Sequence, residues 1–482
     1  MPDNRIFVQA LELSKKIQEC LKNEFEAGRL PEAQVEFVKF KPDFDYQAAE
    51  IGVRESGYFD KKILTAKYEL ITSFKRLTEH TNLLETAKSI VDPARVSATN
   101  LLHVFEYQVT RDILRSIENQ TSCEEDVKNT IGIWIGDLLG EPLHWDVSAW
   151  IRGVRIKDDI GEKIAEIGHG LSIRRPNSSD FAYGMPVDDQ PRFAPNIDDI
   201  LNNVPDAVLR LSVTSVRGAG AYEQVKNRIR QLLTYLLLYK LGSVYTIRVE
   251  AVPQSFMTPI GIPRLAPFRK VTRRPYYVGQ YEATQINKFI DQIEKWLSTV
   301  TEKRSAKTEI EIAIERYCDA TLAKESVASV EHSIASAVMC LEALYSQEPD
   351  ELKYRMSLRV STVLRHYAFD PQVACKVLKC AYDIRSKYAH GRQLSEKEKA
   401  EYKPCGSTHK MSAEKIASNV LEYSRISILT YLAVAHSTNV AKKGFVDRID
   451  RAIVSARGDE TISNAAILVS AITTIREPNP LN

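Results

Sequence analysis

The sequence predicts a multidomain α+β protein: a helical N-terminal region over 1–143, a central mixed α/β module with long loops over 144–283, and an all-α helical bundle over 284–482. Three observations predict it. Apolar residues recur at three- and four-residue spacing at both ends of the chain, strict alternation occurs only in the middle, and 482 residues exceed what one compact core holds. Hydrophobic residues at 44% and charged residues at 27% give a globular balance that excludes wholesale disorder.

In the first region, Phe7, Leu11, Leu13, Ile17 and Leu21 fall on a helical spacing. Ile63, Tyr68, Ile71, Phe74 and Leu77 repeat it, and so do Leu101, Val104, Phe105, Val109, Leu114 and Ile117. His103, beside the third stripe, reads as a core or boundary histidine rather than a ligand. From His144 the period becomes two: Trp145-Val147-Trp150, Val154-Ile156, Leu209-Leu211-Val213 and Val244-Thr246-Arg248-Glu250 mark half-buried strands. Among them lie a helix near Glu223–Lys240 and proline-rich loops carrying Pro176, Pro186, Pro191 and Pro195, then Pro253, Pro259, Pro263, Pro267 and Pro275.

From about Gln285 the pattern is helical to the end. Ile286, Phe289, Ile290, Ile293 and Leu297 begin it; Val327, Val330, Ile334, Val338, Leu341 and Tyr345 form a long stripe; Val373, Val377, Leu378, Ala381, Ile384 and Tyr388 form another. A polar loop, Ser395–Met411, precedes two further helices, about Ser412–His436 and Val446–Ile475.

The net charge of +2 names no partner, but its distribution is uneven. Lys353–Arg392 carries nine Lys/Arg against Asp370 and Asp383, a local balance of +7 that leaves −5 elsewhere. Such a basic island suits an anionic partner, nucleic acid first, or is a solvated basic helix surface. A second stretch, Ala251–Tyr281, has no acid at all: Arg264, Arg269, Lys270, Arg273 and Arg274 are interleaved with Phe256, Phe268, Tyr276, Tyr277 and Tyr281. Cations beside rings are what single-stranded RNA contact requires, and an unliganded basic hairpin arm has the same composition.

Seven cysteines show no zinc spacing, and free thiols in a reducing compartment account for them. Arg217–Ala221 lacks the third glycine and the G-K-[ST] of a phosphate loop, Glu141 and His144 read as boundary residues, and no nucleophile elbow occurs. No cofactor motif and no metal-ligand cluster is read. The N-terminus lacks signal-peptide order, and the greasiest run, Leu232–Leu241, is far short of a span, so the expectation is a cytoplasmic protein without membrane contact.

One segment carries candidate chemistry. Tyr382–Gly391 reads Y-D-I-R-S-K-Y-A-H-G and contains R-x4-H, Arg385 and His390. The spacing alone is weak, since Arg359-x6-His366 repeats it nearby. On an ideal helix Arg385 and His390 stand about 140° apart and could not share a ligand. Gly391 is the usual left-handed helix stop, which puts His390 in the last turn with its ring off the helical track. The dipole at that end attracts a cation, which suits a general acid. Arg385 borders the apolar stripe; were that stripe to pack on a second copy, two such sets would meet in one cleft. A salt-bridged arginine and a capping histidine fit the same geometry.

Three blocks in order, Ser336–Tyr345 (S-A-V-M-C-L-E-A-L-Y), Ser357–Leu364 (S-L-R-V-S-T-V-L) and Ala381–Gly391, make Glu309–Leu394 resemble the ApeA-like branch of the HEPN superfamily. The resemblance implies a helical bundle that dimerises through the motif helices and a metal-independent endoribonuclease in which the RNA 2′-OH attacks the adjacent phosphate. It makes His390 the general base or acid and Arg385 the group that neutralises charge on the phosphorane. Lys387, Tyr388 and Arg392 become substrate-positioning groups. Glu342, matching a glutamate of the family's earlier helix, braces Arg385 or caps local structure. The partners so implied are RNA, tRNA included, a second copy of the chain, and a partner protein or phage-derived trigger. The role implied is a toxin or anti-phage abortive-infection effector restrained by its N-terminal regions. The alternative is a non-catalytic module binding RNA or protein, or an effector subunit of a larger defence complex.

Overall fold

Among the described residues, amphipathic periodicity at the N-terminus resolves into four packed helices: α1 (Asn4–Glu26), α2 (Thr78–Ile90), α3 (Ala98–Asn119) and α4 (Glu124–Leu139). The structure, a computed structural model, describes residues 4–27, 73–91, 97–119, 122–157, 159, 165–176, 205–217, 220–242, 244–255, 268–270, 276–301, 308–324, 329–347, 352–402 and 410–475. Ile6, Leu13, Ile17 and Leu21 of α1 are buried against Leu83, Leu101, Phe105 and Trp134. The Trp134 indole donates to the Leu101 carbonyl at 3.1 Å, so the ring is buried without an orphan donor. Gly140 ends α4 in the left-handed conformation, φ 67°, which admits glycine at no steric cost. Of the second expected stripe, Phe74 is buried, while Ile63, Tyr68 and Ile71 lie outside the described residues.

The alternating middle forms strands: β1 (Leu143–Arg152), β2 (Val154–Ile156), β3 (Ala165–Gly168), β4 (Leu171–Arg174) and β5 (Ala207–Ser215). Helix α5 (Ala221–Tyr239) follows, then β6 (Tyr245–Pro253), β7 (Phe268–Lys270) and β8 (Tyr276–Val278). Five of them make one antiparallel sheet in the order β3-β4-β5-β1-β6, with Trp145 opposite Val213 and Val147 opposite Leu211. The four-residue strands β3 and β4 were not expected. They are too short to show a period, and they turn through Gly168-His169-Gly170, all three at positive φ. Arg217 and Ser255, at two strand ends, both bond Asp137 of α4 at 2.7 Å and join the sheet to the N-terminal helices.

Beyond the sheet come α6 (Gln280–Thr301), α7 (Glu309–Thr321), the short strand β9 (Leu322–Lys324), α8 (Val330–Tyr345) and α9 (Leu352–Leu364). They are followed by α10 (Pro371–Ala389), α11 (Glu396–Ala400), α12 (Ala413–Thr438), α13 (Lys442–Val454) and α14 (Ala456–Ile472). Three details differ from the periodicity reading. β9, pairing antiparallel with β7, interrupts the expected run of helices. The polar stretch 395–411 holds α11 and a Tyr402–Met411 bridge. The single helix expected over 446–475 is two, broken at Ser455, whose extended backbone (φ −149°, ψ 134°) no proline or glycine announces.

The apolar core runs unbroken from the sheet into these helices, and position 283/284 falls inside α6. At its centre is α12, buried on every side from Val420 to Ala435. A helix apolar all round belongs inside, yet α12 carries Arg425 and Glu422, 0% and 1% exposed. Arg425 binds Glu422 through Nη2 at 2.6 Å and Nε at 2.9 Å. Its Nη1 donates to the Leu238 and Tyr239 carbonyls of α5 at 2.8 and 3.1 Å. Tyr276 donates to Leu236 O and Tyr317 to Leu237 O, and burial pushes both phenols up, keeping them donors. The last turn of α5, whose carbonyls have no intrahelical partner, is thus capped by side chains from four later segments, Thr473 of α14's end being the fourth.

Arg425→Met is expected to strand the buried Glu422 charge and two carbonyls, destabilising the fold by about 3–5 kcal/mol. A denaturant-unfolding midpoint indistinguishable from wild type would refute this account of the core.

Candidate active site and nucleic-acid interface

Helix α10 is set by its ends. Asp370 accepts from the backbone N–H groups of Gln372 and Val373 at 2.7 and 3.2 Å, and Pro371 occupies the first helical position, where its missing N–H costs nothing. At the other end His390 is the cap and Gly391 adopts φ 77°. The backbone N–H of His390 donates to Ser386 O, that of Gly391 to Tyr388 O and that of Arg392 to Lys387 O, closing the last turn. The His390 side chain is exposed, and among the described residues nothing bonds its ring.

The stripe Ala374, Val377, Leu378, Ala381 and Ile384 is buried within the chain, against α8, α9 and α12. This corrects the expectation that the stripe itself could pack on a second copy: the bundle already covers it. The outward face carries the exposed Lys376, Ala389 and His390 and the half-buried Lys379, Tyr382 and Ser386, Tyr382 packing against the edge of the core.

Arg385 lies at the border between the two faces, with its side chain 30% exposed. Its Nη2 donates to Glu342 Oε2 of α8 at 3.1 Å, and its guanidinium lies 5.8 Å from the Tyr382 ring centre. Burial pushes the Glu342 carboxyl above its usual value, and the Arg385 charge pulls against that rise. The other carboxylate oxygen, Oε1, is buried with no hydrogen-bond partner among the described residues. Arg385 and His390 do not bond one another; one is braced against α8 and the other stands at the helix cap.

Lys387 and Arg392 do converge. Both reach Glu398 Oε1 of α11, at 3.2 and 3.3 Å. The Lys387 ammonium also sits 4.8 Å from the Tyr402 ring centre. Glu398 closes a capping box with Ser395, and that backbone N–H, helped by Lys387, holds its carboxyl down to about 2. Although desolvation lowers the Lys387 pKa, bonds to Glu398 and Tyr402 hold it above its ordinary value. Tyr388 turns to α8, where its hydroxyl meets His332 Nδ1 at 3.3 Å.

His332, Glu398 and Tyr402 were missed in the sequence. The S-x-x-E at Ser395–Glu398 was a legible capping signal inside a stretch read as loop. His332 shows nothing local, because its partner is 56 residues away.

The second R-x6-H match is structural. Arg359 is buried, grips Asp450 of α13 through Nε and Nη2 at 2.8 and 2.7 Å, and donates to Tyr345 O at 2.8 Å. Arg365 donates to Ala452 O, so two of the nine cations between Lys353 and Arg392 face α13. Of the other basic stretch, Arg264, Arg273 and Arg274 lie outside the described residues. For Arg269 and Lys270 only the backbone, in β7, is described.

Comparison of the chain with protein-family models, with curated proteins and with solved structures gave no match.

Two outcomes follow. Arg359→Ala should lower stability by about 2 kcal/mol through the lost charged hydrogen bonds, without changing any activity of the folded fraction; selective loss of activity with stability intact would reverse the assignment. Glu342 holds its proton to higher pH when folded than the usual 4.5. The folded state therefore binds more protons in the window just above 4.5, and the stability from this group falls as pH rises through it. Glu342→Gln should flatten that segment of the stability–pH curve, which denaturant unfolding across the window measures.

Proposed function

We propose that the chain is a metal-independent endoribonuclease whose working end is the C-terminus of α10. The observation that carries this reading is the company kept by that helix end: the Arg385, Lys387 and Arg392 cations and the exposed His390 imidazole lie within one and a half turns of a helix stop. The resemblance of Glu309–Leu394 to HEPN nucleases supports it.

In this reading RNA lies across the helix end, its phosphates drawn to Lys387 and Arg392 in competition with Glu398. His390 takes the proton from the ribose 2′-OH. The 2′-oxygen bonds the adjacent phosphorus, the bond from phosphorus to the 5′-oxygen breaks, and a 2′,3′-cyclic phosphate and a 5′-hydroxyl result. Arg385 neutralises charge on the phosphorane, and Glu342 keeps its side chain from collapsing onto the helix. The departing 5′-oxygen needs a proton from a second group. A second copy of the chain, docked so that its own α10 end meets this one, supplies another His390 for that step. The defence role, a toxin or anti-phage effector held in check by the N-terminal helices and sheet, rests on the resemblance.

The test is incubation of the full-length protein with total RNA and with tRNA in EDTA. Wild type should cut, and Arg385→Ala and His390→Ala should each reduce cutting by at least about 100-fold with folding unchanged. RNA binding without cutting would support the non-catalytic binding module instead; cutting that survives both substitutions would remove the site.

A further inference from the structure

The outward face of α10 continues past the helix end. At 100° per residue, Tyr382, Lys379, Ser386 and His390 occupy one sector about 80° wide, extending about 16 Å along the axis. Beside it, on the first turn of α9, Tyr354 is 57% exposed, and the Lys379 ammonium lies 5.8 Å from its ring centre. Among the described residues no carboxylate pairs with Lys379. The acid on this face, Asp383, is held at 2.5 Å by Lys353. Charge is therefore left over beside an open ring, six residues and about 9 Å from Arg385. Arg385 repeats the arrangement with Tyr382 at 5.8 Å.

We infer that this strip is a binding track for single-stranded RNA, in which Tyr354 stacks a base and Lys379 contacts a neighbouring phosphate. The inference rests on the reading of the α10 terminus as an RNA-cutting end, and it adds a subsite about three stacked nucleotides away from it. Alternating cations and rings favour a nucleic acid over an acidic peptide: a peptide carboxylate needs the ammonium alone, whereas an exposed ring adds affinity for a ligand that has planar faces. The single strand follows from the same contact, because paired bases keep their faces stacked on one another.

The experiment measures anisotropy of a fluorescent 2′-O-methylated single-stranded oligonucleotide, which has no free 2′-OH to attack, with the full-length protein. Tyr354→Ala should weaken binding about 5-fold or more, and Tyr354→Phe should restore it. Lys379→Ala should weaken binding and reduce its salt dependence. Inorganic polyphosphate, which has no bases, should bind Tyr354→Ala and wild type alike. With long cleavable RNA the Tyr354→Ala loss should appear in KM and leave kcat unchanged, while a dinucleotide too short to reach the strip is cut as by wild type.

If Tyr354→Ala binds the oligonucleotide as tightly as wild type while Arg385→Ala still abolishes cutting, the track is overturned and the nuclease reading stands. Equal loss of polyphosphate and oligonucleotide on Tyr354→Ala overturns stacking in favour of charge alone. A wild-type protein that neither binds nor cuts any RNA overturns both.

Discussion

The fold turns on the buried C-terminus of α5. A helix ending inside a core leaves several carbonyls without water, and each costs free energy unless a donor reaches it. Here the donors come from Tyr276, Tyr317, Arg425 and Thr473, which lie as far as 234 residues along the chain from the helix they cap. Arg425 brings a full positive charge to the negative end of the helix dipole, and Glu422 compensates that charge within the same turn of α12. β8, α7, α12 and the end of α14 cannot be displaced from α5 without breaking these bonds. That constraint explains a continuous core where the change of period suggested a seam.

The same rigidity positions the candidate site. Because α12 and α8 bury one face of α10, the cations of the opposite border and face are presented from a fixed rod. Polar groups at the joints are partnered: Ser424 donates to Ala337 O, Tyr345 to Ser427, and Tyr367 shares a bond with Thr430. Glu342 is an exception, with one oxygen on Arg385 and the other, like Glu331 Oε2 on the same helix, buried without a partner among the described residues. A carboxylate so placed is costly, and its raised pKa expresses that cost. What it achieves is an outstretched guanidinium at the helix border. Glu398 works differently: half-buried yet firmly ionised, it offers Lys387 and Arg392 a counter-ion that a phosphate could replace.

Legibility in the sequence followed the range of the interaction. Helix α10 was read from its regular apolar stripe and from Gly391 at its end, while the equally local start signal of Asp370 and Pro371 went unread. In β1, β5 and β6 a period of two was legible over five to seven residues, whereas β3 and β4, at four residues, showed none. The break at Ser455 was invisible because serine forbids nothing. It is imposed by the packing of α13 against α14 and α9.

The chain by itself determined where α10 stops, which face of each long helix is apolar, and that arginine and histidine stand on either side of a helix terminus; all of these are decided by residues within a few positions of one another. Only the tertiary structure decided which of the two arginines is buried and which stands at a helix border, since Arg359 and Arg385 are alike in sequence and differ in meeting Asp450 or Glu342. It also decided that the apolar stripe of α10 is closed within the bundle. Contacts between segments tens to hundreds of residues apart depend on the packing of the whole core, and no local pattern encodes them.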